Sequence, residues 1–380
     1  MGYFQFELRP SKGIHRLSVV AGAAIAVGLS SCTANNPPPQ AESPQGESTA
    51  NADGLQVMTT FLPITQFTKA VAGDRAMVTQ LLPTQVGPHD YQAKPEDVQR
   101  LTQADVLVKN GLEMEEFLGD LLANAANPNL KVVDSSQGVA TIANQDTDEH
   151  NQAKGDDHDH DHDHNHDNHD HDKSSEAGHH HHGQYNPHIW LDPKRAIEQV
   201  ENIRDGLIAA DPEGEAEYSA NAAAYISQLQ ALDTDITAAL QPYQGKTFVA
   251  FHDFAPYFAQ SYGLKAVFLV DIPEGNPTPA DVKRVTDEVK ASNLKTILTE
   301  PQAGKSSFSA LAKDLGVQIS TFDPMETGGT EALQPEYYLT TLRNNVQTLV
   351  TAFGGQTQSI VPFWLVRTLA IVPQPVWMKF

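Results

Sequence analysis

Hydrophobic positions along this chain of 380 residues follow two alternating periodicities. Short apolar runs rich in β-branched residues predict strands, and apolar residues three or four positions apart predict amphipathic helices between them. Repeated alternation of strand and helix is typical of parallel sheets covered by helices. We therefore expect an α/β fold with two lobes, each built on a four-stranded parallel sheet flanked by helices. The predicted strands are Leu55–Thr60, Ala76–Leu82, Val106–Lys109, Lys131–Val133, Thr247–Phe251, Lys265–Val270, Thr296–Thr299 and Val317–Phe322.

A long helical region separates the two sets of strands. Asp192-Pro193 and Asp211-Pro212 each place a capping residue before a proline, which is typical of a helix start. The second helix would be roughly 40 Å long at 1.5 Å per residue. We expect it to act as a spine over 211–241, between an N-terminal lobe over 54–210 and a C-terminal lobe over 242–355. Its apolar stripe is Tyr218, Ala222, Tyr225, Leu229, Leu232, Ile236 and Leu240.

The first residues have the pattern of an export signal. Basic residues up to Arg16 precede an apolar run, Leu17–Leu29, that is too short for a comfortable membrane span. The run ends in Leu-Ser-Ser-Cys, which resembles the lipobox of bacterial lipoproteins. Cys32 is the only cysteine, so no intramolecular disulfide can form. We expect a signal peptide over 1–31 and a lipid anchor on Cys32.

Two further segments do not have the composition of a folded domain. Residues 32–53 are rich in Pro, Gln, Ser and Asn, so this stretch is predicted to be a disordered tether. Residues 356–380 are apolar, contain three prolines and lack a helical stripe. We expect this tail to be a dispensable extension.

The acidity of the chain is concentrated in one insertion. The net charge is −23, and twelve acids from Asp146 to Glu176 are opposed there only by Lys154 and Lys173. Twelve histidines lie between His150 and His182. Such a polar stretch predicts a disordered insertion over about 144–183 that binds metal ions weakly. Its weak metal ligands would be His158, His160, His162, His164, His166, His169, His171, His179, His180, His181 and His182.

Three isolated histidines stand in apolar surroundings instead. His89 and His252 follow predicted strands, and the carboxyl ends of parallel strands are where open α/β sheets place their ligands. Asp323 follows the last strand in the same way, and His188 lies behind Pro187. We predict that the three imidazoles bind one divalent ion between the lobes. Three imidazoles favour Zn²⁺, with Mn²⁺ as the runner-up.

The order of these motifs resembles a known family. Gly-Pro-His-Asp-Tyr is followed by the histidine-rich insertion, then Asn-Pro-His-Ile-Trp-Leu-Asp-Pro, Phe-His-Asp and Phe-Asp-Pro-Met. This series is similar to the zinc-binding lipoproteins of bacterial ABC importers, the cluster A-I solute-binding proteins, and in particular their zinc-uptake branch. The resemblance covers about Leu55 to Phe353.

The resemblance implies a site and a role. It implies that His89, His188 and His252 are ligands and that Asp323 takes the fourth position used by some members. It also implies a monomer, lipid-anchored on the periplasmic or extracytoplasmic face, that delivers Zn²⁺ to a membrane permease served by an ATPase subunit. No phosphate-binding glycine loop and no basic patch is present in the sequence, so we expect neither nucleotide nor nucleic acid as a ligand.

Two other classes of function stay open. Three histidines with an open fourth position also describe a catalytic zinc that activates water, which would make the chain a lipid-anchored hydrolase. Glu300, after the strand Thr296–Thr299, would be its nearest general base, although such a glutamate more often orients an imidazole. Some members of the resembled family have also been linked to surface attachment, so an adhesin is the third class. We expect a binding protein and not an enzyme.

We predict that the insertion captures metal and does not form the tight site. Deleting residues 156–182 should remove several weak Zn²⁺ equivalents from a calorimetric titration and leave one strong equivalent, because only rigid ligands bind tightly. Lowering the pH towards 5 should weaken the insertion further, since free imidazoles have a pKa near 6.5. Loss of the strong equivalent on deletion would mean that the insertion supplies a ligand.

Overall fold

The computed structural model describes residues 54–89, 91–144, 183–273, 275–303 and 306–355. The predictions for the export signal, Cys32, the tether, the eleven weak histidine ligands and the tail fall outside these ranges. Among the described residues, no helix combines the length and the hydrophobicity needed to cross a membrane.

The first half forms one parallel sheet with strand order β2-β1-β3-β4. The central strand β1 pairs on both sides, so that Val57 lies opposite Val78 on one neighbour and opposite Val106 on the other. Val57 and Val106 are fully buried, which explains why apolar β-branched residues recur there. The elements are β1 Leu55–Thr59, α1 Leu62–Ala72, β2 Ala76–Gln80, α2 Pro95–Thr102, β3 Val106–Lys109, α3 Leu118–Ala125 and β4 Lys131–Asp134.

Two long helices follow, α4 Pro193–Ala210 and α5 Glu215–Leu240. Asp192 caps α4 by accepting a hydrogen bond from the backbone N–H of Lys194. The predicted start of the spine helix is delayed, because Pro212–Gly214 form a 3₁₀ turn before α5. All seven residues of the predicted stripe are buried, and α5 packs against α1, α4 and the last helix, α9 Pro335–Ala352.

The second half contains four parallel strands in two pairs, β5 with β6 and β7 with β8. The expected single four-stranded sheet is therefore wrong in this detail. Strands β5 and β7 are neighbours, although they are not paired in one sheet. At the end of β5, the N–H of His252 donates to the side chain of Glu300, which follows β7, and not to a backbone carbonyl of β7. The elements are β5 Thr247–His252, α6 Pro256–Ser261, β6 Lys265–Val270, α7 Pro279–Ala291, β7 Thr296–Thr299, α8 Ser306–Leu315 and β8 Gln318–Thr321.

Strand β5 separates two hydrophobic cores. Phe248 and Ala250 pack into the large core that also contains β1, β3 and the inner faces of α1, α4, α5 and α9. Val249 and Phe251 point the other way, into a smaller core with α7 and α8. Because side chains alternate along a strand, His252 continues the face of Phe248 and Ala250 and is directed towards the first half. The α/β class with parallel sheets and a long helix is confirmed.

A short antiparallel contact, here called the neck, joins the residues before the histidine-rich insertion to the residues after it. Ala143 and Tyr185 form an isolated antiparallel bridge. The N–H of Asn144 donates to the carbonyl of Gln184 at 3.1 Å, and the N–H of Asn186 donates to the carbonyl of Ile142 at 3.0 Å. These bonds fix the position of the residues that directly precede His188.

We predict that the stripe of α5 carries much of the stability. Leu229 is fully buried, so Leu229→Ala should lower the free energy of unfolding of the metal-free protein by about 2–5 kcal/mol in a urea titration. Gln228→Ala is the matched control on the exposed face of the helix and should change it by less than about 0.5 kcal/mol. Equal effects of the two substitutions would show that α5 does not pack as described.

Candidate metal site

Four side chains from distant parts of the sequence meet at the carboxyl ends of the strands. They are His89 in the loop after β2, His188 in the segment before α4, His252 at the end of β5, and Glu326 after β8. One ligand atom from each lies within 4.8 Å of the others. His188 and His252 are fully buried and Glu326 is 1% exposed, so water has little access to the group.

Four of the six separations between these atoms are close to those expected around a small tetrahedral ion. Glu326 Oε1 lies 3.2 Å from His188 Nε2, 3.4 Å from His252 Nε2 and 3.7 Å from His89 Nε2. The Nε2 atoms of His188 and His252 are 3.2 Å apart. Four ligand atoms about 2.0–2.1 Å from a tetrahedral Zn²⁺ would be about 3.3 Å from one another. The donor set therefore fits a zinc ion without large movement.

His188 is held by its own segment. Asn186 Oδ1 accepts the N–H of His188 at 3.1 Å and lies 3.0 Å from His188 Nδ1. Asn186 in turn donates to the carbonyl of Asp253, next to His252, at 2.7 Å. Because Asn186 Oδ1 accepts at Nδ1, the lone pair of the ring is left on Nε2, which faces the other three groups.

His252 has a carboxylate behind it. Glu300 Oε1 lies 2.6 Å from His252 Nδ1 and 3.1 Å from its backbone N, so it holds both the ring and the strand end. Glu300 is not one of the four clustered residues. The carboxylate–imidazole pair is the arrangement by which proteins orient a metal-binding histidine. This geometry agrees with the role of an orienting partner for Glu300.

The turn after β8 explains why Glu326 and not Asp323 reaches the histidines. Met325 has a φ of 63°, a left-handed conformation that costs an L-residue about 1–2 kcal/mol. Asp323 Oδ1 accepts the N–H of Met325 at 2.8 Å and so stabilises this turn. Asn345 Oδ1 accepts the N–H of Asp323 at 2.9 Å. The structure thus does not bring Asp323 into the cluster, because its carboxylate supports the turn that directs Glu326 inwards.

The loops that carry the cluster are hydrogen-bonded to one another. The N–H of Gly328 donates to the carbonyl of Thr84 at 2.7 Å, which joins the Glu326 loop to the His89 loop. Trp190 Nε1 donates to the carbonyl of Pro324 at 2.8 Å, and this bond joins the His188 segment to the Glu326 loop. Tyr338 on α9 donates to the carbonyl of Trp190 at 2.6 Å. The four side chains are therefore positioned before any ion binds.

Charge is balanced inside the cluster by the imidazoles. Burial alone would lower the pKa of His252, but the carboxylates of Glu300 and Glu326 outweigh it and raise that pKa to about 10. Burial would raise the pKa of Glu326, yet His252 above all, with His188 and His89, holds it well below its usual value. An incoming cation therefore has to displace any proton that His252 carries on its metal-facing nitrogen.

A cavity of about 850 Å³ opens beside His89. Its walls come mainly from α2, α3 and the loops around them, with Ile272 from the second half. Glu113, Glu116 and Asp120 contribute carboxylates to this wall. His89 is 8% exposed, so the side of the cluster at His89 is the one that opens towards this cavity.

The model of the family "zinc-uptake complex component A periplasmic" matches residues 57–352. The chain belongs to this family. The match contains every element of the fold except the first residues of β1, together with all four clustered side chains. The predicted resemblance to zinc-uptake solute-binding proteins is thereby confirmed.

Individual relatives agree with the family. The zinc-binding protein AdcA of Streptococcus pyogenes is 34% identical over 311 residues, which are 81% of this chain and 58% of AdcA. A crystal structure of Zn(II)-bound AdcA from Streptococcus pneumoniae is 28% identical with a TM-score of 0.62, covering 81% of this chain and 60% of that one. The manganese-binding lipoprotein MntA of Halalkalibacterium halodurans is 29% identical over 80% of this chain and 90% of its own length. This chain thus spans less than two thirds of the length of AdcA.

The sequence predicted three of the four clustered residues. The structure brings His89, His188 and His252 together, while their binding of a metal ion stays a prediction. Glu326 was missed because Asp323 and Glu326 both follow β8 closely, and the spacing alone favours the carboxylate nearer to the strand. The one available signal was Asp-Pro-Met-Glu itself, in which a proline after the aspartate predicts a turn that reverses the chain before the glutamate.

We predict that Glu326 binds the ion and that Asp323 supports the turn without binding it. Glu326→Gln should raise the Zn²⁺ dissociation constant by more than about 100-fold, because removing even an orienting partner of a ligand costs 10–100-fold. His188→Ala should have an effect of similar size. Asp323→Asn is the control: it keeps the shape of the turn residue and should weaken binding by less than about 10-fold. Chelator competition measures all three, and the assignment is wrong if Asp323→Asn is the more damaging carboxylate change.

Proposed function

We propose that this protein binds Zn²⁺ outside the cytoplasm and delivers it to an ABC-type membrane importer. The observation that carries the proposal is the buried group of three imidazoles and one carboxylate with tetrahedral spacing. Membership of a zinc-uptake family and the zinc-binding AdcA relatives support the same cargo. The permease and its ATPase subunit are the partners that such a role requires.

The donor set favours zinc over manganese. Zn²⁺ accepts four ligands of mixed nitrogen and oxygen type, whereas Mn²⁺ prefers more oxygen ligands in a larger coordination shell. Three of the four clustered groups here offer nitrogen. Manganese is the second candidate cargo, since the manganese-binding lipoprotein MntA matches 80% of this chain.

The same geometry argues against a hydrolase. A catalytic zinc keeps one position open for water, and here Glu326 Oε1 stands where that water would be. Glu300, the candidate base, is bound to His252 through both the ring and the backbone. We infer that the chain is not an enzyme, and adhesion stays a prediction.

We also propose the finer features that the sequence predicts. The protein is held at the membrane through a lipid on Cys32 and acts as a monomer. The histidine-rich insertion supplies weakly bound zinc to the tight site.

A titration with a competing chelator tests the proposed cargo. Metal-free protein should bind one equivalent of Zn²⁺ tightly and Mn²⁺ at least about 100-fold more weakly, which corresponds to about 2.7 kcal/mol. The loaded protein should hydrolyse neither generic esters nor peptides. His188→Ala, examined alongside, should lose the tight equivalent while keeping the far-ultraviolet circular dichroism of the parent. Tighter binding of Mn²⁺, or turnover that follows zinc loading, would contradict the proposal.

A further inference from the structure

Gln302, in the loop after β7, joins the two buried carboxylates next to the metal cluster. Its Nε2 lies 2.8 Å from Glu300 Oε2 and 3.2 Å from Glu326 Oε2. Gln302 is exposed, while both glutamates are 1% exposed. A surface side chain thus reaches the outer oxygens of two interior carboxylates.

The orientation of this amide follows from chemistry. Ionised carboxylates only accept hydrogen bonds, and the –NH₂ group of glutamine is the end of the amide that donates. That group has two hydrogens, which suffice for one bond to each glutamate. Turning the amide would set its carbonyl oxygen, an acceptor, against two oxygens that also accept. Gln302 therefore binds both carboxylates at once through Nε2.

Three of the four carboxylate oxygens of Glu300 and Glu326 are occupied by hydrogen bonds. Glu300 Oε1 is taken by His252, and Glu300 Oε2 by Gln302. Glu326 Oε2 is also taken by Gln302, which leaves Glu326 Oε1 as the oxygen that faces the three imidazoles. The site thus offers three nitrogens and a single oxygen.

We propose that Gln302 determines metal specificity by keeping Glu326 monodentate. This inference rests on the proposed function, because it concerns the ion that the same cluster binds. With Oε2 of Glu326 held by the amide, an ion has four ligands, which suits Zn²⁺. Released from Gln302, Glu326 could present both oxygens and enlarge the coordination shell in the direction that Mn²⁺ prefers. Gln302 would then act through Glu326 as a positioning residue, without touching the ion.

The test compares Gln302→Leu with the parent protein. Leucine is close in size but cannot donate, and the exposed position makes a loss of folding unexpected. Competition titrations with Zn²⁺ and Mn²⁺ should show that the ratio of the two dissociation constants shifts towards Mn²⁺ by at least about 10-fold. Gln92→Leu makes the same exchange at an exposed glutamine in the cavity beside His89 and should leave the ratio unchanged.

Visible absorption of the Co²⁺-loaded protein supplies a second readout. The parent and Gln92→Leu should give the intense bands of four-coordinate Co²⁺, and Gln302→Leu should give the weaker bands of a larger shell. Unchanged bands with equal weakening for both metals would overturn the specificity role and leave only general support of the carboxylates. A parent protein that binds no zinc would instead refute the proposed function, so the two failures are distinguishable.

Discussion

The structure depends on burying two carboxyl groups beside the same imidazoles in its interior. Glu300 and Glu326 are both almost completely buried within a few ångströms of the same imidazoles. Burying a charge costs several kcal/mol unless an opposite charge and hydrogen bonds compensate it. Around these two groups the neighbouring imidazoles supply the hydrogen bonds, and Glu300 and Glu326 in turn raise the pKa of His252. A divalent cation bound by Glu326 would bring more positive charge to this buried group than a monovalent ion, so the electrostatics of the site favour a dication.

The loops around these carboxyl groups are held in place by a shared core and by hydrogen bonds to each other. Strand β5 contributes to the large core and to the smaller core with α7 and α8, and α5 lies against α1, α4 and α9. Trp190 and Gly328 then connect the ligand-bearing loops directly. Such preorganisation lowers the entropic cost of binding, since the side chains need not be gathered when the ion arrives.

Much of this arrangement could be predicted from the chain alone, because periodicity and capping are local signals. The stripe of α5 and the strands Val106–Lys109, Lys265–Val270 and Thr296–Thr299 agree with the structure residue for residue. The division of the strands of the second half into two pairs, seen among the described residues, is a tertiary property that no local pattern carries. The position of Glu326 in the cluster, in place of Asp323, depends on the left-handed backbone conformation of Met325. Methionine rarely adopts this conformation, so the sequence does not predict it.

The neck formed by Ala143 and Tyr185 has a consequence for how this protein can change and be used. Its hydrogen bonds place the residues on either side of the insertion next to each other, whatever number of residues separates them in the sequence. The position of His188 is thus decoupled from the length of the insertion. Evolution can lengthen, shorten or rewrite that segment without changing the register of the site. For the same reason, a foreign domain spliced between Asn144 and Gly183 would leave the arrangement of the four clustered side chains intact.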